Sequence, residues 1–163
     1  MKGIYLSLGS NVGSRAENLA RAVEALRVHG VRVVRESSLY ETEPVELHEQ
    51  DWFLNSAVEV ETRMSPRELM HALLEIERSM GRERRVPKGP RLIDMDILLY
   101  GGEVLSEADL EIPHPRMAER RFVLVPLAEI APGARHPVLG KTAAELLAEA
   151  SDASLVKKIS PGA

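Results

Sequence analysis

The most constraining stretch of this chain is a basic segment followed directly by an apolar segment that carries two acidic residues. The basic part, residues 82–91, contains Pro87 and Pro90. It predicts a loop, because proline disfavours both helix interiors and central strands. The apolar residues 92–100 predict a strand. Within this strand Asp94 and Asp96 are two positions apart, so their side chains point to the same face, about 7 Å from each other.

Two adjacent carboxylates repel each other and resist burial unless a cation lies between them. Mg²⁺ prefers carboxylate oxygens and keeps its other positions for water and phosphate, while guanidinium groups match phosphate oxygens. The basic loop supplies Arg82, Arg84 and Arg91. An arginine-rich loop that leads into an Asp-x-Asp strand therefore indicates a site for a metal-bound polyphosphate. The spacing also allows the alternative that the loop is a solvated face and that the aspartates pair with neighbouring arginines.

Composition restricts the class of protein. A chain of 163 residues with 44% hydrophobic and 28% charged residues predicts one globular domain over residues 1–163. The net charge of −4 argues against a general nucleic-acid binder. Cysteine is absent, and no apolar run reaches the length of a signal-peptide core or a membrane span. We expect a cytoplasmic protein that binds neither nucleic acid nor membranes; the sequence leaves a monomer and a dimer both open.

Hydrophobic periodicity predicts the order strand, helix, strand, strand, helix, strand, followed by a hairpin and C-terminal elements. The expected strands cover residues 4–8, 31–40, 53–61, 92–100 and, as a last core strand, 122–125. Residues 9–11 are expected to form a turn, and capping boxes are expected at Ser14 and Ser65, with a short helix starting near Thr142. This order predicts a ferredoxin-like α+β sandwich, βαββαβ, with an antiparallel sheet and helices on one face.

Several short segments, taken in order, closely resemble the 6-hydroxymethyl-7,8-dihydropterin pyrophosphokinases of folate biosynthesis. They are Leu8-Gly9-Ser10-Asn11, Tyr40-Glu41-Thr42-Glu43-Pro44, Phe53-Leu54-Asn55, Glu77, Gly81-Arg82, Gly89-Pro90-Arg91-Leu92-Ile93-Asp94-Met95-Asp96-Ile97 and Ile112-Pro113-His114-Pro115. The resemblance extends to about Pro132, and its most specific part is Gly-Pro-Arg-x-x-Asp-x-Asp. It implies Mg²⁺-dependent transfer of pyrophosphate from ATP to the hydroxymethyl group of the pterin, with release of AMP.

The resemblance also implies roles for individual residues. Asp94 and Asp96 would hold two Mg²⁺ ions that bridge the triphosphate, which agrees with the electrostatic argument above. Arg82 and Arg91, together with Asp96, are the implied catalytic residues. The implied ATP-binding residues are Glu77, Arg82, Arg84, Arg91, Ile97, His114 and Arg120. The implied pterin-binding residues are Thr42, Pro44, Val45, Phe53, Asn55 and Phe122.

Within these sets, Phe53 and Phe122 would stack on the flat pterin ring, and Asn55 would bind its pyrimidine edge. Glu77, near the end of the second helix, is expected to be exposed or to face the arginine loop. Two positions depart from the family pattern, since Lys88 and Pro115 stand where many members carry Trp and Tyr. No general base is evident.

Two other functions remain open. A metal-dependent phosphohydrolase also uses paired carboxylates, and ATP consumption without an acceptor would support that function. A ferredoxin-like RNA- or ligand-binding module would place residues 82–91 on phosphates, but it leaves Asp94 and Asp96 without a role. RNA binding that does not need Mg²⁺ would favour the module.

Overall fold

The computed structural model describes residues 3–43, 52–81 and 92–159. Its strands are β1 Ile4–Ser10, β2 Arg32–Glu36, β3 Tyr40–Thr42, β4 Phe53–Glu61, β5 Asp94–Tyr100, β6 Leu105–Glu107, β7 Leu110–Ile112 and β8 Val156–Lys158. Its α-helices are α1 Arg15–Val28, α2 Pro66–Ser79, α3 Arg121–Ile130 and α4 Ala143–Glu149, and a 3₁₀ turn covers Met117–Glu119.

The main sheet has the strand order β5-β1-β4-β3-β8, and β2 pairs with β4 beside β3. All pairings in this sheet are antiparallel. The predicted α+β class and the βαββαβ order are confirmed. The extra hairpin is formed by β6 and β7. The hairpin expected from Gly101-Gly102, between residues 92–100 and 103–105, was wrong, because β5 pairs with β1 and not with β6. The strand expected over residues 31–40 is divided into β2 and β3, which both pair along the long strand β4.

Helices cover both faces of the sheet, so the prediction that they lie on one face was wrong. Leu26 of α1 and Ile76 of α2 pack with Leu6 in the larger core. On the opposite face, Leu127 of α3 packs with Leu98 in a second core. Each strand contributes side chains to both cores, because successive side chains point to opposite faces of the sheet.

The prediction of a last strand over residues 122–125 was wrong, because this segment is the start of α3. A short apolar run does not by itself distinguish a buried strand from a buried helix. Val123 and Leu127, four residues apart, both belong to the second core, which is the spacing of one helical face.

The predicted capping boxes had different outcomes. Ser65 Oγ accepts a bond from the N–H of Glu68 (3.2 Å), and the Glu68 carboxylate accepts one from the N–H of Ser65 (2.8 Å), so the box at α2 is confirmed. The side chain of Ser14 makes no capping bond, so the box at α1 was wrong. The segment before α1 is held instead by Asn18 Nδ2, which donates to Ser10 Oγ (3.1 Å) and to the carbonyl of Val12 (2.8 Å).

None of the helices within the described ranges has both the length and the hydropathy needed to cross a membrane.

Candidate active site

One face of the sheet carries a row of polar and small residues that come from three different strands. Gly9 of β1 is paired with Asp94 of β5 on one side and with Asn55 of β4 on the other. Directly paired residues point to the same face, so Asp94 and Asn55 lie on one face with their Cα atoms about 10 Å apart. This is the face covered by α3, because Ala57, two residues after Asn55, packs in the second core.

Gly9 lets Asn55 occupy its position. A Cβ atom built on Gly9 would lie 2.6 Å from Asn55 Nδ2 and 3.5 Å from Phe53 Cδ2, and the first distance is shorter than real Cβ contacts. The prediction that Gly9 lies in a turn was wrong, because β1 continues through Ser10. The signal that was missed is a glycine at the end of an alternating strand pattern, which often marks a close approach of another group.

Hydrogen bonds to Thr42 and to Leu8 fix the side chain of Asn55. It is 4% exposed; its Oδ1 accepts from Thr42 Oγ1 (2.6 Å), and its Nδ2 donates to the carbonyl of Leu8 (3.3 Å). Because Oδ1 and Nδ2 bond to different partners, the orientation of the amide group is fixed. The predicted contact of Asn55 with the pterin stays a prediction.

The other predicted pterin residues lie on the same side of the sheet where the structure describes them. Phe53 is half-buried, two residues before Asn55, and its strand partner is Thr42. Phe122 is the second residue of α3 and packs at the border of the second core. Pro44 and Val45 lie outside the described residues.

Asp94 and Asp96 form the acidic part of the site. Met95 between them is buried in the larger core, whereas Asp94 is half-buried and Asp96 is exposed. Their oxygens are the hard donors that Mg²⁺ prefers, and two carboxylates leave its other positions for water and phosphate. The pair therefore fits this ion. Across residues 3–43, 52–81 and 92–159 there is no group of three or more His, Cys, Asp or Glu residues that could hold a metal on its own.

A cleft of about 490 Å³ runs along the outer edge of β5. It contains both aspartates and three predicted ATP-binding residues, Glu77, Ile97 and His114. The remaining lining comes from β5, α2, the β6–β7 hairpin and the segment after it: Met95, Met70, Leu73, Leu74, Ala108, Asp109, Leu110, Glu111 and Pro115. One wall is apolar and the other carries carboxylates, which suits a ligand with a flat apolar base and a charged end.

Glu77 lies beneath this cleft rather than on the surface. It is 2% exposed, and its Oε2 accepts a bond of 2.8 Å from the N–H of Met95. The expectation of an exposed side chain was therefore wrong; the arginine loop, which Glu77 was alternatively expected to face, lies outside the described residues. Because Met95 separates the two aspartates, this bond ties α2 to the part of β5 that carries them. The predicted contact of Glu77 with ATP stays a prediction.

His114 provides a partner for another backbone group at the edge of β5, since its backbone N–H donates to the carbonyl of Leu98 (3.0 Å). Its Nδ1 accepts from the N–H of Arg116 (3.1 Å), so the neutral ring carries its hydrogen on Nε2. Burial, helped by the charges of Arg120 and Arg116, lowers the pKa of His114 to about 4. At neutral pH the ring is therefore an uncharged hydrogen-bond donor.

Arg120 links the two groups of predicted residues. Its guanidinium carbon is 5.5 Å from the centroid of the Phe122 ring, within the range of a cation–π contact. It also contributes to the low pKa of His114 at the cleft. Arg82, Arg84 and Arg91 lie outside the described residues, and their roles stay predictions.

Comparison with known proteins points to one family. The 7,8-dihydro-6-hydroxymethylpterin-pyrophosphokinase (HPPK) family matches residues 5–132. The 2-amino-4-hydroxy-6-hydroxymethyldihydropteridine pyrophosphokinase of Methylorubrum extorquens is 47% identical over 150 residues, which are 91% of this chain and 94% of that protein. The Bacillus subtilis protein of the same name is 50% identical over 127 residues, 77% of this chain and 76% of that protein.

Other relatives are longer. Folic acid synthesis protein fol1 of Pneumocystis carinii is 41% identical over 85% of this chain, which spans 19% of the fungal protein. A crystal structure of Plasmodium falciparum HPPK-DHPS, a triple mutant with pteroate, superposes with a TM-score of 0.72 at 18% identity. The match covers 91% of this chain and 43% of the Plasmodium chain, and at that identity it supports the fold alone.

The protonation state of His114 can be tested by following its ring Cε1–H signal by NMR as the pH is lowered. We expect a midpoint near pH 4, because burial and two arginines disfavour the charged ring. The spectrum of His114→Gln, which lacks the signal, provides the assignment. The pKa of His114 in the folded protein is below the ordinary value of 6.5. The neutral ring therefore contributes to the free energy of unfolding above pH 6.5, and this contribution decreases as the pH falls toward 4. A midpoint near pH 6.5 would contradict the conclusion that the His114 ring is uncharged because of its burial.

Proposed function

Because this chain belongs to the 7,8-dihydro-6-hydroxymethylpterin-pyrophosphokinase (HPPK) family, we propose that it transfers a pyrophosphoryl group from ATP to 6-hydroxymethyl-7,8-dihydropterin. The products are AMP and the pterin diphosphate used in folate biosynthesis. The main structural support is the row of Asp94, Gly9 and Asn55 on one sheet face. In this row Asp94, which suits a metal-bound phosphate, lies about 10 Å from Asn55, which suits the edge of a heterocycle. Both substrates can therefore meet over Gly9.

In this proposal the carboxylates of Asp94 and Asp96 hold Mg²⁺, with two ions as the family resemblance implies. Bound Mg²⁺ neutralises the charge of the triphosphate and aligns it for in-line attack. The chain supplies the positions of the two carboxylates. The pairing of β5 with β1 holds the backbone of this strand, and the bond from Met95 to Glu77 fixes it between the two aspartates.

The nucleotide occupies the cleft beside β5. Met70 and Leu73 of α2 offer an apolar wall for the base, and His114 donates from Nε2 to a phosphate oxygen without adding a positive charge. Arg120, whose charge acts on His114, contacts the same phosphates in this proposal. Arg82 and Arg91 stabilise the charge that develops during transfer, and Arg84 assists them. Glu77 and Ile97 complete the nucleotide side.

The pterin lies over the α3 face of the sheet. Phe53 and Phe122 stack on its two sides, and Asn55 hydrogen-bonds its pyrimidine edge. Thr42 fixes the orientation of the Asn55 amide through their 2.6 Å bond. The backbone of Pro44 and Val45 supplies further contacts in this proposal.

We extend the proposal to the chain as a whole: residues 1–163 act as one pyrophosphokinase domain in the cytoplasm. ATP and the pterin are its partners, and a monomer and a dimer are both compatible with the site.

Product analysis tests this function. The protein is mixed with ATP, Mg²⁺ and 6-hydroxymethyl-7,8-dihydropterin, and each component is omitted in turn. AMP and pterin diphosphate in equal amounts, both requiring all three components, are the expected result. ADP or free phosphate formed without pterin would instead support a phosphohydrolase. No turnover by a folded sample would favour a binding module.

Replacement of either metal-binding carboxylate is expected to abolish most turnover. Asp94→Ala and Asp96→Ala should each lower kcat at least about a hundredfold, because charge on the phosphates is no longer neutralised. Circular dichroism should remain unchanged, since neither side chain is in a hydrophobic core. Glu103→Gln, an exposed acid in the turn after β5, is the matched control and should retain wild-type turnover. Substantial activity of either Asp variant would refute the metal assignment.

A methyl group at Gly9 is expected to disturb the pterin side of the site. Gly9→Ala should raise the KM for pterin about tenfold or more, because its Cβ displaces Asn55 Nδ2 from a position 2.6 Å away. Gly102→Ala is the control, since a Cβ there meets no atom within 4 Å. Steady-state kinetics with each substrate varied would check this. A wild-type pterin KM in a folded Gly9→Ala protein would contradict the proposed position of the pterin.

A further inference from the structure

The C-terminal segment of residues 152–158 lies beyond the part of the chain that matches the family, which ends at residue 132. It nevertheless contacts two places beside the proposed pterin pocket. One contact is with the end of β3, which carries Thr42, and the other is with the start of α3, which carries Phe122. We call residues 152–158 the C-terminal strap.

The first contact continues the main sheet. β8 pairs with β3 so that Val156 is opposite Thr42. One step further, the N–H of Glu43 donates to the carbonyl of Leu155 (3.2 Å), and the Glu43 carboxylate accepts from the N–H of Leu155 (2.8 Å). The strap thus holds β3 on the side opposite to β4, at the residue that orients Asn55.

The second contact is made by Asp152. Its Oδ2 accepts a bond of 3.0 Å from the N–H of Arg121, the first residue of α3. The preceding residue, Arg120, provides no side-chain cap. The first N–H groups of a helix have no partner within the helix, and a negative charge near them is favourable. Asp152 therefore caps α3 from a distant part of the chain.

Two more bonds, both made by Ser154, hold the strap around Asp152 at the start of α3. Its Oδ1 accepts from the N–H of Ser154 (2.8 Å), and the guanidinium of Arg121 donates to the carbonyl of Ser154 (3.1 Å). Burial acts to raise the pKa of Asp152, but the bonds from Ser154 and Arg121 outweigh it and hold the pKa below the ordinary value. The cap is therefore ionised at neutral pH. Phe122 follows Arg121 directly, so the direction of its side chain depends on this first turn.

We propose that the C-terminal strap positions both walls of the pterin pocket, with Asp152 as the positioning residue for Phe122 and residues 155–158 as the support for Thr42. This inference rests on the proposed function and adds residues that contact no substrate. It concerns the pterin more than the nucleotide, because β8 and β5 are at opposite edges of the sheet. Arg120 precedes the residue that Asp152 caps and belongs to the proposed ATP site, so a smaller effect on ATP binding arises through this arginine.

Steady-state kinetics of Asp152 variants test the proposal. Asp152→Ala should raise the KM for pterin about five- to tenfold, the equivalent of a lost helix cap, while kcat and the KM for ATP change by less than about twofold. Asp152→Asn keeps an oxygen acceptor and should restore most of the pterin KM, because Asn and Asp are similar caps. Glu149→Ala is the matched control, since this nearby carboxylate pairs with Lys141 (2.6 Å) on the surface of α4. It should behave as wild type.

These experiments test the proposed function and the positioning role of Asp152 separately. A wild-type protein without pyrophosphokinase turnover would overturn the proposed function. An active wild type whose Asp152→Ala variant has an unchanged pterin KM, or equal increases in both KM values, would overturn the positioning role alone. If Asp152→Ala does not fold, Glu43→Ala decides, because it removes the bond to Leu155 at the other wall. An unchanged pterin KM in that variant would overturn the proposal, and a selective increase would support it.

Discussion

The antiparallel register of β1 between β5 and β4 is the constraint on which the site depends. It places Gly9 between Asp94 and Asn55, so residues far apart in sequence share one face. A shift of one residue in either pairing would turn an entire strand over and move these groups into the opposite core. The apolar alternation of β1 prevents such a shift, because Leu6 and Leu8 must face α1 and α2. The packing of the core thus fixes the geometry of the site.

The outer edge of β5 shows how the fold serves two purposes with the same residues. An edge strand has backbone groups that need partners, and Glu77 and His114 satisfy two of them at Met95 and Leu98. Both residues line the cleft in which we place the nucleotide. Closing the sheet edge and shaping the phosphate end of the site are therefore linked, and His114 can do both while remaining uncharged.

Local patterns were sufficient to predict part of this arrangement. The two-residue spacing of Asp94 and Asp96 predicted a shared face, and the order of periodic segments predicted the βαββαβ fold. The burial of Glu77 and the closeness of Gly9 to Asn55 depend on which strands are neighbours, which periodicity does not specify. The helix over Arg121–Ile130 was missed because four apolar residues fit either structure. Its distant cap, Asp152, could not be inferred, because no local motif connects the two segments.

In the proposed complex a metal-bound nucleotide sits at Asp94 and Asp96, beside Gly9 and within reach of a pterin held at Asn55. Mn²⁺ takes the oxygen ligands that Mg²⁺ takes, and it broadens nearby NMR signals. With Mn²⁺ and ATP bound, we expect the strongest broadening at the amides of Asp94, Met95, Asp96 and Gly9. Broadening should be weaker at Asn55 and weakest at β8. Broadening centred elsewhere, with the β5 and β1 signals unaffected, would contradict the account.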